Sequence, residues 1–151
     1  MSLNDDIALL SSVPLFADID QEKLRLIAFG AERRRVSAGQ ELFREGAPAD
    51  CAYAVSQGRF RLTRIGVDGR LETVGSVERG TLLSELAMIS LVARKLTATA
   101  EEESEALRIP RALFHRMLEE YPDVAVLVET RLRNNLQAMI ADAASLAPRF
   151  G

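Results

Sequence analysis

Glu85 and Arg94 stand nine positions apart, and around Glu85 Leu82, Leu83, Leu86, Ala87 and Ile89 are crowded at helical spacing. An arginine fork binds phosphate or carboxylate through paired charge-assisted bonds, and a carboxylate accepts from a hydroxyl. Lys95 follows Arg94 directly and offers a second cation. A short helix over Gly80 to Ser90 would turn unsatisfied backbone N–H groups toward the same point, which is the chemistry of an anion site. Spacing alone equally allows a plain ion pair between Glu85 and Arg94 at a loop edge, where such pairs contribute little.

Few other residues offer chemistry. Cys51 is the single cysteine and His115 the single histidine of 151 residues, so an internal disulfide and a His/Cys metal cluster are excluded. Cys51 sits in an apolar run with Tyr53 and Val55 and reads as a buried thiol; His115 lies on a helix and reads as a surface or half-buried side chain. No metal site and no nucleophile–base pair is legible, which argues against an enzyme. Nineteen basic against twenty-two acidic residues give a net charge of -3, so bulk attraction to nucleic acid or anionic lipid is absent. Arg33, Arg34 and Arg35 fall in a strand-like run whose alternate side chains face opposite ways, and read as a solvated strand. No apolar run approaches the roughly 18 residues of a membrane span, and Met1 to Asp6 does not resemble a signal peptide. A soluble, cytoplasmic protein with no membrane partner is expected.

The elements that must hold Glu85 and Arg94 follow from the apolar period. Residues 1–31 read as one or two short helices, the second capped by Asp18 or Asp20. From 32 to 109 short runs alternate with Gly, Pro and Asp: Arg33 to Ser37, Gln40 to Phe43, Cys51 to Ser56, Arg59 to Ile65, Leu71 to Val77, Lys95 to Ala100 and Glu105 to Ile109. Val67-Asp68-Gly69-Arg70 reads as a hairpin loop with glycine at positive φ. After Pro110, taken as a first helical residue, the helical period returns, is broken at Tyr121-Pro122, and resumes from near Asp123 to about Ser145. Leu132, Leu136, Met139, Ala143 and Leu146 form a heptad-like seam on that helix. The pattern predicts one domain over 1–151, mainly β with flanking helices: N-terminal helices, a sandwich or barrel of short strands interrupted at 80–100, and C-terminal helices over 110–151.

These residues resemble the cyclic nucleotide-binding domain family, the sensor module of Crp/Fnr-type regulators and of the regulatory subunits of cyclic-AMP-dependent kinase. The likeness runs from Pro14-Leu15-Phe16 through the glycine-bounded Gly39 to Gly46 segment and the Gly58 to Leu62 hairpin to Gly80, which leads into a phosphate-binding cassette. The resemblance implies a jelly roll, or double-stranded β-helix, of about eight strands with a short cassette helix and a long C-terminal helix. It further implies that Glu85, beside Ser84, binds the ribose 2′-hydroxyl, and that Arg94, with Lys95 and the backbone N–H groups of Leu86 and Ala87, holds the cyclic phosphate. Met139 and Ile140 fall where some members contact the base.

The departures are specific. Ser84 stands where the family usually has glycine, Ala93 where it prefers proline, Lys95 where it has a small residue, and Met139-Ile140 where some members have a Thr-Ser pair. The function implied is a non-enzymatic sensor of cyclic AMP or cyclic GMP without a cofactor, pairing as a homodimer through its C-terminal helix and addressing an unidentified effector protein. Because few residues follow the long helix, no DNA-binding unit is expected in the chain. The alternative is a fold that has lost its nucleotide and serves as a dimerisation or protein-interaction module.

Overall fold

In the computed structural model, residues 2–144 are described, with the backbone alone over 137–144. Helix α1 (Leu3–Ser12) opens on a capping box in which the Ser2 hydroxyl accepts from the Asp5 N–H and the Asp5 carboxylate accepts from the Ser2 N–H. A single 3-10 turn (Pro14–Phe16) leads to helix α2 (Gln21–Gly30), capped by Asp20. Asp18, the other candidate cap, instead takes a left-handed conformation at φ 65°.

Among the described residues ten strands follow, where about eight were expected. They are β1 (Glu32–Val36), β2 (Glu41–Phe43), β3 (Pro48–Ala49), β4 (Cys51–Gln57), β5 (Arg59–Ile65), β6 (Leu71–Glu78), β7 (Leu82–Leu83), β8 (Val92–Ala93), β9 (Thr97–Ala100) and β10 (Ser104–Pro110). Three of them, β3, β7 and β8, are two residues long, too short to leave a period in the sequence. All pairings are antiparallel, in sheets ordered β1-β10-β4-β7 and β2-β9-β5-β6 and in the pair β3-β8. The sheets form a jelly roll with helices packed on one side. The hairpin at Gly69 has the expected positive φ, 80°, with the Gly69 N–H donating to Gly66.

Two apolar cores share strand β4. Its Cys51, Tyr53 and Val55 face the interior of the roll with Phe60, Leu62 and Leu83. Ala52 and Ala54 point the other way, into a second core with Leu10, Phe16, Ile27 and Phe114 from the helices. Alternation along a strand accounts for this split, and the two alanines let the helices approach closely.

Pro110 ends β10 and precedes helix α3 (Arg111–Glu120) rather than opening it. Pro122, by contrast, is the first residue of helix α4 (Pro122–Ala144). Its missing N–H is harmless at that position. On α4 Leu132 is buried, whereas Leu136 is 40% exposed. The side chains of Met139, Ile140 and Ala143, and all of Leu146, lie outside the described residues. Arg33 departs from the solvated reading: it is half-buried, and its Nη2 lies 2.7 Å from Asp6 Oδ2 of α1. His115 is exposed and Cys51 buried, as their contexts suggested.

Candidate functional site

The cassette begins at Ser84, where φ 62° and ψ 44° place a serine in the left-handed region. Side chains other than glycine are disfavoured there by roughly 1–2 kcal/mol. The serine expected to be strained in a glycine-like position does take a left-handed backbone. Glu85–Met88 then form one 3-10 turn rather than an α-helix. The Ala87 N–H donates to the Ser84 carbonyl at 3.0 Å, which closes the turn. Four residues sum little dipole, so the expectation of a helix N-terminus aimed at an anion is corrected: the charge at this site must come from side chains.

Arg94 supplies it. The residue is only 5% exposed, and its backbone is clamped to the segment before β3, with N–H to Ala47 O and carbonyl from Gly46 N–H both at 2.8 Å. Its side chain points into the roll. Nη1 donates to the Cys51 carbonyl at 2.9 Å, and Nη2 to the Cys51 Sγ at 3.1 Å. Its Cζ lies 4.7 Å from the ring centre of Phe43 and 5.3 Å from that of Tyr53, two rings stacked 5.8 Å apart. A guanidinium over aromatic faces gains cation–π attraction that grows when water is excluded. Among the described residues, no carboxylate pairs with Arg94. Its guanidinium is turned to Cys51, while Glu85 accepts from Asn135 of α4.

Charges around the pocket respond to this arrangement. Burial, with the Cys51 thiol beside it, holds the Tyr53 phenol above its ordinary pKa. Slight desolvation pushes the exposed Asp50 up, but the Arg108 guanidinium, the Cys51 side chain and the charge of Arg94 outweigh it and hold its carboxyl below the usual value. Asp50 is engaged by Arg108 at 3.2 Å.

Glu85 is half-buried, and its two oxygens accept from Asn135 Nδ2 of α4 at 3.3 and 3.4 Å. Sequence reading missed Asn135; a polar residue beside the apolar seam was the only signal available. Lys95 is exposed, and Ser84 is buried. The structure thus brings Ser84, Glu85, Leu86 and Ala87 together on the cassette, sets Arg94 in the roll and leaves Lys95 in solvent. A hollow of about 480 Å³ lies over the paired strands β3 and β8, lined by Pro48, Ala49, Asp50, Leu91 and Val92, and Arg94 is not part of its lining. Among the described residues no group of three or more His, Cys, Asp or Glu could hold a metal ion, and no helix is long and apolar enough to cross a membrane.

Sequence reading also missed Arg111, at the first position of α3. Its Nε donates to Ala87 O at 2.8 Å, and its Nη2 to Ala49 O at 2.8 Å and to Ser90 O at 2.9 Å. Nothing in the local pattern marks it, because its partners are backbone carbonyls distant in sequence.

Two solved structures and one curated protein are similar to this chain. The structure of a cyclic nucleotide-binding-like protein from Brucella abortus is 46% identical, over 76% of this chain and 98% of that one, with a TM-score of 0.68. The N-terminal domain of a transcriptional regulator from Streptomyces coelicolor is 28% identical over 87% of this chain and 94% of that one, with a TM-score of 0.79. The lysophospholipase nte1 of Aspergillus oryzae is 29% identical over 134 residues, which is 89% of this chain but 9% of that protein. The chain therefore spans about a tenth of the length of the curated relatives it matches, and the likeness to them is confined to that portion. The model of the cyclic nucleotide-binding domain matches residues 33–121, from the first strand through α3 and including the whole cassette, and the chain belongs to that family.

Proposed function

We propose that the chain binds a cyclic nucleotide, cyclic AMP in the first place, and acts as a non-enzymatic sensor module. The observation that carries this reading is the buried guanidinium of Arg94, whose partners are a carbonyl, a thiol and two rings. Taking a cation out of water costs several kcal/mol unless an opposite charge compensates. A cyclic phosphate is a single negative charge with oxygens suited to a guanidinium fork. Glu85, on the cassette and joined to α4 through Asn135, is then the acceptor for the ribose hydroxyl. The backbone N–H groups of Leu86 and Ala87 are the remaining candidates for the phosphate, and for Ala87 that requires sharing or leaving its bond to Ser84. Lys95 contributes at most long-range attraction from the surface.

In this reading ligand binding draws the cassette and α4 into a new arrangement, to the extent that the ligand prefers one of the two states. Base contacts at Met139 and Ile140, pairing of two copies through α4 and an effector protein that reads the change belong to the same proposal. Titration of the purified chain with cyclic AMP and cyclic GMP in a calorimeter tests it. The expected result is saturable binding of cyclic AMP that weakens tenfold or more in Arg94→Ala, as loss of a charge-assisted bond of about 1.5–3 kcal/mol implies. Absence of binding by either nucleotide would leave a protein-interaction module as the better reading, which the strained Ser84 and the exposed Lys95 favour.

A further inference from the structure

Arg111 occupies a place that helix energetics argue against. It stands at the first position of α3, whose first turn holds no acidic residue and whose preceding residue, Pro110, offers no side-chain cap. A cation there opposes the helix dipole, so stabilising α3 does not explain it. Its guanidinium turns back and holds three carbonyls: Ala87 within the 3-10 turn, Ser90 just after it, and Ala49 of β3. The Arg111 backbone N–H donates to Asp50 O at 2.9 Å, which fixes the same residue to the start of β4. One side chain therefore ties the cassette, the β3–β4 segment and α3 at a single point, and that segment carries Cys51, which holds Arg94, and directly follows Ala47, which clamps its backbone.

We propose that Arg111 is a positioning residue for the anion site, holding the cassette turn at a fixed distance from Arg94 and passing movement of that turn to α3. Buried Ala87 and Met88 and the Asn135–Glu85 contact anchor the turn itself, but the segments on either side of it are weakly held. Strands β7 and β8 of the cassette are two residues long, it starts from a strained serine, and Leu91 at its tip is 87% exposed. Arginine suits this task because its planar fork can satisfy several carbonyls from one rigid group, whereas lysine offers a point charge on a flexible stem. The inference rests on the cyclic nucleotide reading for its functional side, but the mechanical side can be measured without any ligand.

The experiment compares the full chain with Arg111→Lys and Arg111→Met. Amide hydrogen exchange of the ligand-free proteins is followed over residues 84–93 and over β4 and β10, together with calorimetric titration by cyclic AMP and with addition of millimolar methylguanidinium to Arg111→Met. The expected result is exchange at least tenfold faster over 84–93 in Arg111→Met, with β4 and β10 unchanged, and cyclic AMP binding weakened about tenfold. Arg111→Lys is expected to fall between the two, and methylguanidinium to restore part of the protection. Parent-like cassette exchange in both variants overturns the proposal, and so does acceleration spread evenly over β4 and β10, which marks a merely structural role. If the parent itself binds no cyclic nucleotide, the functional reading fails while the exchange data still decide the role of Arg111. If Arg111→Met does not fold, Arg111→Lys carries the same comparison.

Discussion

The Arg94 guanidinium meets Cys51 twice, at its carbonyl and at its sulfur, 2.9 and 3.1 Å away, and none of these contacts carries a negative charge. Replacing a buried charge by an apolar side chain of similar length is often neutral or stabilising. Arg94→Met leaves the Cys51 carbonyl without its donor but removes the desolvated cation, and the two effects oppose each other. Urea unfolding is therefore expected to change by no more than about 1 kcal/mol, although ligand binding is lost. A destabilisation beyond about 3 kcal/mol would instead make Arg94 a structural residue.

Glu85 leads to a prediction about the ligand rather than the protein. If its carboxylate accepts the ribose hydroxyl, 2′-deoxy cyclic AMP should bind the parent about tenfold more weakly than cyclic AMP, the effect of one charge-assisted bond. In Glu85→Ala the two ligands should bind alike. Discrimination that survives the substitution would move the ribose contact to another residue.

Ser84 predicts a stabilising substitution. At φ 62° the serine strain of roughly 1–2 kcal/mol exceeds the entropy that glycine loses on folding, about 0.5–1 kcal/mol. Ser84→Gly should raise the melting temperature by about 2–4 °C, the shift that roughly 1 kcal/mol gives a chain of this size. A lower melting temperature would show that the buried serine side chain contributes more than its backbone costs.

Two glycines at positive φ should respond differently to alanine. At Gly58, φ 77°, an added Cβ would lie 2.2 Å from Ser104 Oγ and 2.7 Å from Glu103 O, whereas at Gly69, φ 80°, it would meet open space. Gly69→Ala should destabilise by about 1 kcal/mol from backbone strain alone. Gly58→Ala should cost about 3 kcal/mol, because backbone atoms must also move. Equal losses in denaturant unfolding would contradict the close approach of the β4–β5 turn to Ser104.

The pH dependence of stability should carry the mark of Asp6. Burial raises its carboxyl above the ordinary value, Arg33 opposes the shift, and Glu105 and Asp5 add to it. In the window between the unfolded and the raised folded pKa the native state holds more protons, so this contribution to stability falls as pH rises through the window and returns as pH drops. Asp123, held low by its bond to Lys23, has the opposite sign, its contribution being lost as pH falls below the unfolded value. Asp6→Asn should remove the first component, seen as a shallower decline of unfolding free energy with rising pH above about 3.8. An unchanged profile would assign that slope to another group.

Where a segment is long enough to show a period, the sequence was a sufficient guide. The strand over Arg59 to Ile65 alternates Phe60 and Leu62 with arginines and was read to its ends, and Asp20 was placed among the two candidate caps of α2. Two-residue strands carry no period, and whether proline ends a strand or starts a helix depends on the chain beyond it. The site divides in the same way. Glu85 and Arg94 were visible because a charge among leucines and the family pattern mark them. The bond from Arg94 to Cys51 spans 43 positions, and Arg111 recognises carbonyls that every residue possesses, so side-chain identity says nothing of either.

Strand β4 is the partition between two rooms. Tyr53 stands in one beside Arg94, while Ala52 and Ala54 stand in the other under the helices, and the partition is a single polypeptide thick. A shift of the β4 backbone at Tyr53 moves the neighbouring alanines with it, since the pleat is continuous. Alanine has no torsion to absorb such a shift, so the helical layer would feel it as a change in its seat. The two cores thus share one backbone, and a displacement of that backbone in either core is a displacement in both.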